Sequence, residues 1–562
     1  MAKYVLVSDT TLSHDYRNFP LLDFLPSAPS EYLPDRIYKF LKGKPPPAIN
    51  GRASLATYPL RKLEASLLQK HTEEEVVVAH EDHLEDFIDD DTELVGVTTM
   101  DPLGIAPLTM SYMVFFSAAN VAHVHKEFTR LMERINRARS GKKAKLIVGG
   151  PGIWELTVRP EEMDNYKIDY AFQGECEDVV DDLFEYILNG GGTNNEFYRG
   201  YQTFDANYHK TWVGDERFIS RYQFSRQFPK LDEIPEIVRP SIKGLIEVMR
   251  GCGIGCDFCE VTLRPLRYYP TEKILKEIAV NVKGGGDNAW VHSDEIFAYK
   301  HGRNFVPDED ALIDLFRAIM GAPGIKHANP THGRISIPAA YPELVKKLSE
   351  VMGAGPNNWI GLQVGVETGS DRLARIHMPN KTLPLKIGPD GAWPDIVWQG
   401  TYVMNKYFWR PAFTVQVGQS SESEEDNWDT VALINKMSNS EVDGKPFEFT
   451  ITPMQNVPLG LISNREFRKI ELTEGQLAVY YASYRHLAKV ASRDAFDNKK
   501  NGRDRNVFTM LGTGMLISLG GMAMLRAIGG ICKKRGLNLE KVEKYGLEEK
   551  LPQAPMIPAL AS

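Results

Sequence analysis

The sequence contains little cysteine for its length. Its 562 residues include five cysteines, and three of them fall within eight residues: Cys176, Cys252, Cys256, Cys259 and Cys532. A disulfide framework needs paired cysteines spread along a small secreted chain, so this distribution favours a metal site. We predict that the two isolated cysteines, Cys176 and Cys532, are small buried hydrophobic residues and not ligands.

The chain also lacks an excess of basic charge. Its 66 lysines and arginines are outnumbered by 74 aspartates and glutamates, which gives a formal net charge of −8, and both signs are spread along the sequence. No basic face is evident, so nucleic acid is not expected as a partner. The first residues show neither the apolar core nor the small-residue cleavage site of a signal peptide, so we expect a cytoplasmic protein.

Short β-rich runs alternate with helical patterns over residues 1–185. The runs are YVLVSDT (4–10), VVVAHE (76–81), LVGVTTM (94–100), KLIVGGP (145–151) and YAFQGE (170–175). This alternation is typical of a doubly wound, Rossmann-like α/β domain, which binds ligands beyond the carboxyl ends of its strands. Residues 186–240 are rich in aromatics, glycine and proline without a sustained period, and we predict a linker there.

Strand-like runs resume after residue 240, in the order IEVM, AWVHSDE, GRISIPA, WIGLQVGVE, FTVQVG and FEFTITPM. Six such units separated by helical segments predict a partial (β/α)6 barrel over 241–460, with its site at the carboxyl ends of the strands. Residues 461–562 are predicted to form a helical C-terminal domain. Within it, 507–525 carry no charge, but glycines and threonines favour a buried or substrate-facing helix over a membrane span.

The clustered cysteines, Cys252, Cys256 and Cys259, have CxxxCxxC spacing in a glycine-containing loop that follows a strand. Three thiolates leave one iron of a four-iron cluster without a protein ligand, and a substrate-binding iron needs such an open position. A structural zinc ion would need a fourth ligand, and the nearest candidate, His292, falls on a different strand. The spacing favours a [4Fe–4S] cluster, with zinc as the alternative.

This motif, with an aromatic residue directly before its last cysteine and at the end of a barrel's first strand, resembles the radical S-adenosylmethionine (SAM) superfamily. The resemblance implies a [4Fe–4S] cluster that binds SAM and cleaves it to a 5′-deoxyadenosyl radical. It also implies SAM-binding residues in the cysteine loop, at later strand ends and in a stretch similar to the family's GxESGS. These residues are Phe258, Asp294, Glu295, Ser336, Gln363, Glu367, Gln416 and Met454.

An α/β domain that precedes such a barrel resembles the cobalamin-binding domain of the cobalamin-dependent radical SAM methyltransferases. The resemblance implies cobalamin contacts in three loops, where small residues let the backbone approach a macrocycle closely. These contacts are Thr98, Thr99, Asp101, Leu103 and Gly104, then Gly149, Gly150 and Pro151, then Gly174 and Glu175. The D-x-H-x-x-G motif is absent, so no histidine is expected below the cobalt. A domain that has kept the fold and lost the corrin is the alternative.

With both cofactors, the resemblance implies methylation of an unactivated sp3 carbon, for which no general acid or base is needed. The likeness to archaeal members implies a protein substrate, a glutamine in the α subunit of methyl-coenzyme M reductase, hence a post-translational modification linked to methanogenesis. It also implies an electron donor such as a ferredoxin or flavodoxin, and no membrane partner is expected. The alternatives are a lipid-modifying radical SAM enzyme that docks through 507–525, and a non-catalytic cobalamin or redox sensor, which the intact cysteine triad disfavours.

Overall fold

The protein combines parallel sheets with helices. The structure, a computed structural model, describes residues 2–14, 16, 20–115, 121–190, 201–204, 210–457, 471–496 and 507–547. Within these ranges strands and helices alternate along most of the chain, as the sequence patterns predict. The α/β class is confirmed.

The N-terminal part, up to residue 220, holds short strands and amphipathic helices. Its strands are β1 (Tyr4–Ser8), β2 (Ala48–Ile49), β3 (Arg52–Ala53), β4 (Val76–Val78), β5 (Leu94–Thr98), β6 (Lys145–Gly149), β7 (Tyr170–Gln173), β8 (Tyr201–Phe204), β9 (Lys210–Val213) and β10 (Phe218–Ser220). Its α-helices are α1 (Asp35–Lys42), α2 (Tyr58–Leu67), α3 (Pro107–Met113), α4 (His123–Ala138), α5 (Ile153–Val158), α6 (Glu161–Asn165) and α7 (Val180–Leu188).

Six of these strands form one parallel sheet in the order β10-β7-β6-β5-β1-β4. Each of the five predicted β-rich runs contains one of its strands. The chain passes from β1 to β4 on one side and then to β5 on the other, so the order reverses between β1 and β5. Such a reversal opens a crevice at the carboxyl ends of the two strands, where open α/β sheets bind ligands.

The interval 186–240, which the sequence patterns assign to a linker, contributes β10 to this sheet. Its three residues pair with Ala171, Phe172 and Gln173 and are buried. Three residues are too few to show a period, so the strand has no signal in the sequence. The sheet therefore extends past residue 185. Residues 191–200 and 205–209 of the interval lie outside the described residues.

The second part of the chain contains strands in five of the six predicted runs, a further strand ahead of the remaining run, GRISIPA, and the helices between them. Its strands are β11 (Leu245–Glu247), β12 (Met249–Arg250), β13 (Arg267–Tyr268), β14 (Asn288–His292), β15 (His327–Pro330), β16 (Ile360–Glu367), β17 (Trp409–Val417), β18 (Glu441–Val442), β19 (Lys445–Pro446) and β20 (Thr450–Gln455). Its α-helices are α8 (Thr271–Lys283), α9 (Glu309–Met320), α10 (Ser336–Ala340), α11 (Pro342–Val351), α12 (Asp371–His377), α13 (Trp393–Lys406) and α14 (Glu424–Ser438).

Six parallel strands follow one another in space as they do in sequence. They form the sheets β11-β14-β15 and β16-β17-β20, which a bridge between His332 and Gln363 joins. Burial alternates along the strands. One face, which carries Val364, Phe413 and Ile451, is buried in the core shared with the helices. The other face, with Gln363, is half-exposed, so it can receive a ligand.

The third of these strands differs from its predicted place. The run GRISIPA is not a strand, because β15 precedes it and Ser336 begins α10. Pro338 lies in the first turn of α10, where its missing N–H breaks no helical hydrogen bond. All residues from Ile335 to Ala340 are buried, so no period distinguishes a strand from a helix there. The prediction that Ser336 ends a strand is wrong.

The C-terminal residues form three helices, α15 (Glu474–Phe496), α16 (Val507–Arg535) and α17 (Leu539–Lys544). Leu477, Tyr480 and Cys532 are buried in the same apolar core as the barrel strands, so these helices extend that core. Cys176 is half-buried against the N-terminal sheet. Residues 458–470, 497–506 and 548–562, which include about a third of the predicted C-terminal domain, lie outside the described residues. No helix in the described part of the chain is long and apolar enough to cross a membrane.

Candidate active site

The cysteine loop follows β12 and depends on glycine for its shape. Gly251 has a φ of 83°, and a Cβ at this position would lie 2.5 Å from the carbonyl oxygen of Pro265. Any other residue would therefore be both strained and in collision with the neighbouring backbone. The Gly251 N–H donates a 2.6 Å hydrogen bond to Oδ2 of Asp294, which follows β14. This bond connects the start of the loop to a residue that the sequence predicts in the SAM site.

The three thiols of the loop are neighbours and are largely withdrawn from water. Cys252 interacts electrostatically with Cys256 and Cys259. Burial raises the pKa of Cys252 to about 12 and that of Cys256 to about 11, and it also raises the pKa of Cys259. Thiolates in such surroundings need nearby positive charge, which the irons of a cluster provide.

The described residues contain no group of three or more His, Cys, Asp or Glu side chains arranged to hold a metal ion. Ligands of one zinc ion all lie about 2.0–2.3 Å from it, whereas cluster cysteines bind different irons and stand further apart. The candidate fourth zinc ligand is His292, and its Nδ1 atom lies 3.3 Å from the Thr331 hydroxyl. Three neighbouring thiols fit a cluster with one open iron.

The last residue of α12 and the segment that follows it hold the cysteine loop from another side. The Asp257 N–H donates to the carbonyl oxygen of His377 at 3.0 Å, and the Asp257 carboxylate lies 2.8 Å from Nδ1 of the same histidine. Nδ2 of Asn380 donates to the carbonyl oxygen of Ile254 at 3.0 Å. The loop is thereby fixed on two sides by the protein alone, which is how sites are preorganised.

Lys381 and Glu367 form a buried ion pair beside two of the cysteines. Nζ lies 3.0 Å from Oε1, and the lysine interacts electrostatically with Cys256 and Cys259. Burial lowers the pKa of Lys381, but Glu367 together with the Cys256 and Cys259 thiols raises it overall, so the lysine stays charged. Glu367 follows a bulge in β16 and has a φ of 65°, a strained conformation for a side-chain-bearing residue and one found at functional sites. Gln416 donates to its second oxygen at 3.1 Å.

Arg334 and Glu295 form a second buried pair, with Nε 3.4 Å from Oε2. The arginine interacts electrostatically with Cys252 and Cys256, and burial raises the pKa of Glu295. The sequence patterns missed Arg334 because they place a strand over this segment. Ser336, which was predicted to contact SAM, is wholly buried, and its hydroxyl lies within hydrogen-bond reach of the backbone carbonyl oxygens of Lys381 and Leu383.

The other predicted SAM residues lie along the same strand ends. Gln416 and Met454 are paired neighbours on β17 and β20, and both are half-exposed, as is Phe258 in the cysteine loop. Three nearby polar atoms are buried without a hydrogen-bond partner: Ser293 Oγ, Gln419 Oε1 and Gln455 Oε1. Buried polar atoms are rarely left unpaired, so these three fit a site whose polar ligand would complete them.

In the N-terminal sheet, the predicted cobalamin residues after β5 and β6 pack against each other. Gly150 has a φ of 100°, and a Cβ there would lie 2.6 Å from the carbonyl oxygen of Thr99. The Thr99 N–H donates to the carbonyl oxygen of Gly149, and Thr98 Oγ1 also lies close to Gly150. Gly149 itself has space, since a Cβ would meet only the Phe172 carbonyl oxygen at 3.7 Å. The glycines let two loops meet closely at the strand ends.

The remaining residues of the loop after β5 stabilise the loop itself. The Asp101 carboxylate accepts hydrogen bonds from the Ala106 N–H and the Thr109 hydroxyl. Leu103 is buried, and its N–H donates to the Glu155 carboxylate at 2.7 Å. Gly104 provides a turn with a φ of 69°. The polar groups of Asp101 are therefore occupied within the protein.

The tips of these loops are open. Pro151 is exposed, and Met100 is 53% exposed at the carboxyl end of β5, on one side of the crevice between β1 and β5. An exposed apolar side chain beside backbone that has room for a ligand fits a large, partly apolar group lying against the strand ends. Thr98, Gly149, Gly150 and Pro151 therefore fit the corrin better than Asp101 and Leu103 do.

The third predicted loop, after β7, points to the barrel. Glu175 forms ion pairs with Arg250 at 2.6 Å and with Arg267 at 2.7 Å. Gly174 has a φ of 116° and packs against the Arg221 side chain, where a Cβ would lie 3.1 Å from Cγ. The sequence did not indicate this role of Glu175, because its partners lie about 75 and 92 residues further along the chain.

No family model and no curated protein matches the chain. Two similar solved structures are of TsrM, a radical S-adenosylmethionine methyltransferase from Kitasatospora setae. The one with cobalamin and a [4Fe–4S] cluster bound has 14% identity and a TM-score of 0.48, over 81% of this chain and 75% of TsrM. The one with tryptophan substrate and the SAM analogue aza-SAM bound has 14% identity and a TM-score of 0.46, over 76% of this chain and 70% of TsrM.

Proposed function

We propose that the chain is a cobalamin-dependent radical SAM C-methyltransferase that acts on an unactivated sp3 carbon. The observation that carries the proposal is the cysteine loop. Three neighbouring thiols, with no fourth ligand among the residues that the structure describes, stand at the carboxyl ends of six parallel strands. Two buried cations flank them, and they face a half-exposed inner surface. This arrangement suits an open cluster that binds a second molecule.

Cys252, Cys256 and Cys259 would hold the cluster, and the loops after β5 and β6 would hold cobalamin. When bound, the cluster supplies the electron that cleaves SAM, and cobalamin supplies the methyl carrier. The chain's own residues position these groups. Lys381, charged and adjacent to the open face, is suited to a carboxylate, and Gln416 and Glu367 offer neutral and anionic hydrogen-bonding groups next to it.

A protein substrate is part of the proposal. The half-exposed face of the strands carries neutral hydrogen-bonding side chains, among them Gln363, Gln416 and Thr452, which can bind the backbone amides of a peptide segment. The overall likeness of the chain to archaeal members of the subclass, and its length, are what support a glutamine of the methyl-coenzyme M reductase α subunit as the target; no substrate motif does. A cytoplasmic location and a ferredoxin or flavodoxin as electron donor accompany this assignment.

A lipid substrate is the second candidate, because one surface of α16 is apolar and exposed. Met515 is 65% exposed, Leu519 45% and Met522 41%. Contiguous exposed apolar side chains mark interaction surfaces, including those for lipid. The candidate differs from the first only in the molecule that reaches the inner face of the strands.

The decisive experiment is anaerobic reconstitution with iron, sulfide and cobalamin, followed by incubation with SAM, a reductant and candidate peptides. We expect bound iron, release of 5′-deoxyadenosine and a mass gain of one methylene unit in the peptide. Changing all three loop cysteines to Ala should abolish the iron and the 5′-deoxyadenosine, while Cys176→Ala and Cys532→Ala serve as controls that retain both. Formation of 5′-deoxyadenosine by the triple variant would refute the proposal.

A further inference from the structure

The guanidinium of Arg334 lacks acceptors for part of its hydrogen-bonding capacity. The side chain is 2% exposed. Nη1 donates to the carbonyl oxygen of Leu383 at 3.2 Å, and Nε lies 3.4 Å from Glu295, but neither Nε nor Nη2 has a hydrogen bond of acceptable geometry. An arginine has five N–H donors, and leaving charged donors buried and unpaired is costly. The position therefore calls for a further acceptor.

The ring of Phe305 connects this guanidinium to the cysteine loop. It stacks over the ring of Phe305, 5.1 Å from the centroid. The same ring reaches the loop, because it lies 3.7 Å from where a Cβ on Gly253 would stand. Gly253 directly follows Cys252, and the arginine interacts electrostatically with both Cys252 and Cys256. A group held by the cysteines is therefore a candidate acceptor for the unpaired N–H groups of Arg334.

The acid that accompanies Arg334 does not fully satisfy it. Glu295 Oε1 accepts from the Phe297 N–H at 3.1 Å, and Oε2 lies 3.4 Å from the arginine Nε, a distance longer than that of a strong charge-assisted bond. By contrast, Lys381 on the other side of the loop has a close partner in Glu367. Of these two cations, Arg334 is the one with buried nitrogens, Nε and Nη2, that have no hydrogen bond of acceptable geometry.

We propose that the N–H groups of Arg334 donate hydrogen bonds to the sulfur atoms of the cluster and raise its reduction potential. This inference rests on the proposed function. A one-electron donor of the ferredoxin or flavodoxin class adds one negative charge to the cluster, and that charge stays there until it is passed to SAM. Donors and a fixed positive charge stabilise the reduced form more than the oxidised form, which makes the potential less negative.

The test is a redox titration of the reconstituted full chain without SAM, with dithionite as reductant and the reduced cluster followed by electron paramagnetic resonance. Arg334→Gln, which loses the charge and most donors, should shift the midpoint to a more negative potential. Arg334→Lys keeps the charge and loses the planar fork, so its midpoint should lie between the two. It also keeps the inference testable if Arg334→Gln fails to fold. Arg410→Gln is the control, because this largely buried arginine, 3.9 Å from Glu448, lies at the amino end of β17.

The possible outcomes distinguish a failure of the inference about Arg334 from a failure of the proposed function. If the wild-type chain assembles no cluster, the proposed function fails. If it assembles one and both Arg334 variants titrate at the wild-type midpoint, only the inference fails. Unchanged midpoints combined with weaker SAM binding would also overturn it, because the free donors would then belong to the SAM carboxylate.

Discussion

The carboxylate of Glu175 lies 2.6 Å from the guanidinium of Arg250 and joins the N-terminal sheet to the strand that leads into the cysteine loop. Glu175 follows β7, and Arg250 ends β12, two residues before Cys252. Both side chains are about nine-tenths buried, so salt screens the pair little. Burial raises the pKa of Glu175, but Arg267 and Arg250 outweigh it and lower it overall. A change in the N-terminal sheet can therefore affect the loop that holds the thiols.

We expect Glu175→Gln to loosen this connection. Removing one partner of a buried pair costs on the order of 3 kcal/mol, and here it is Arg267 that loses its carboxylate, since Arg250 keeps Glu177 and Glu247. Hydrogen exchange at the backbone amides of 174–177 and 247–251 should then rise by about a hundredfold. Glu247→Gln is the matched control, because Glu247 binds the same arginine at 2.9 Å from within the barrel. There, faster exchange should be confined to 247–251, and an equal effect of both variants on 174–177 would contradict the assignment.

Gly150→Ala should reduce cobalamin uptake. The new Cβ would lie 2.6 Å from the Thr99 carbonyl oxygen, so the loops after β5 and β6 must separate. Gly141→Ala is the control, because Gly141 also has a positive φ, 78°, but a Cβ there meets nothing within 4 Å. Both variants bear the strain of a left-handed conformation, about 1–2 kcal/mol, and only Gly150→Ala moves the loops. Corrin absorbance after reconstitution measures the difference, and equal uptake by the two would remove these loops from the site.

The strands and the cysteine loop were predictable from sequence because their signals are local. Buried runs such as 94–98 and 145–149 are short, apolar and bounded by polar or glycine residues, and the three thiols lie within one loop. The GRISIPA segment was misassigned because the prediction also rested on local pattern alone. A continuously buried run has no readable period, so the residues of a short helix resemble those of a strand.

The partners of the site were not predictable, because they come from distant parts of the chain. Lys381 pairs with Glu367, whose backbone at the end of β16 is strained. Arg334 stacks on Phe305, and the ring of Phe305 lies beside the cysteine loop. Glu175 was predicted as a cobalamin contact after a strand, and its carboxylate forms ion pairs with Arg250 and Arg267. Nothing local in the sequence distinguishes a cofactor contact from an ion pair to a second domain. The packing of the N-terminal sheet against the barrel determines whether such a side chain contacts a cofactor or forms an ion pair.

Acid should release α15 from the barrel through His486. Its ring stacks on Phe449 at 3.9 Å, and its nitrogens lie 2.8 Å from Ser438 Oγ and 3.1 Å from the Phe449 carbonyl oxygen. Burial lowers the pKa of His486 to about 3. Below about pH 6.5 the histidine is protonated in the unfolded state but stays neutral in the folded state. The contribution of His486 to the free energy of unfolding is therefore complete above about pH 6.5 and declines as the pH falls toward 3.

The expected loss is about 1.4 kcal/mol per pH unit, or about 2 kcal/mol at pH 5. It should appear as faster amide exchange in α15, after correction for the intrinsic effect of pH on exchange. His486→Gln should make the stability of α15 less dependent on pH in this range, and His83→Gln, which changes a histidine with a 44% exposed side chain, should not. The same pH dependence in His486→Gln and wild type would show that another group controls the helix.

The exposed face of α16 distinguishes the two substrate classes. With a protein substrate, the wild-type chain should stay with the unbound fraction when anionic vesicles are floated, and Met515→Glu should leave methylation of the target peptide unchanged. With a lipid substrate, the chain should float, and the new charge at a position that is 65% exposed should weaken binding by about 2–3 kcal/mol, the cost of burying a charge in the bilayer. Ile49→Glu, at a similarly exposed apolar residue of the N-terminal part, is the control.

We expect that the wild-type chain does not float with the vesicles, because the glycines of α16 reduce the apolar area that this helix exposes. Flotation that Met515→Glu abolishes and Ile49→Glu preserves, without a methylated peptide, would replace the protein substrate with a lipid.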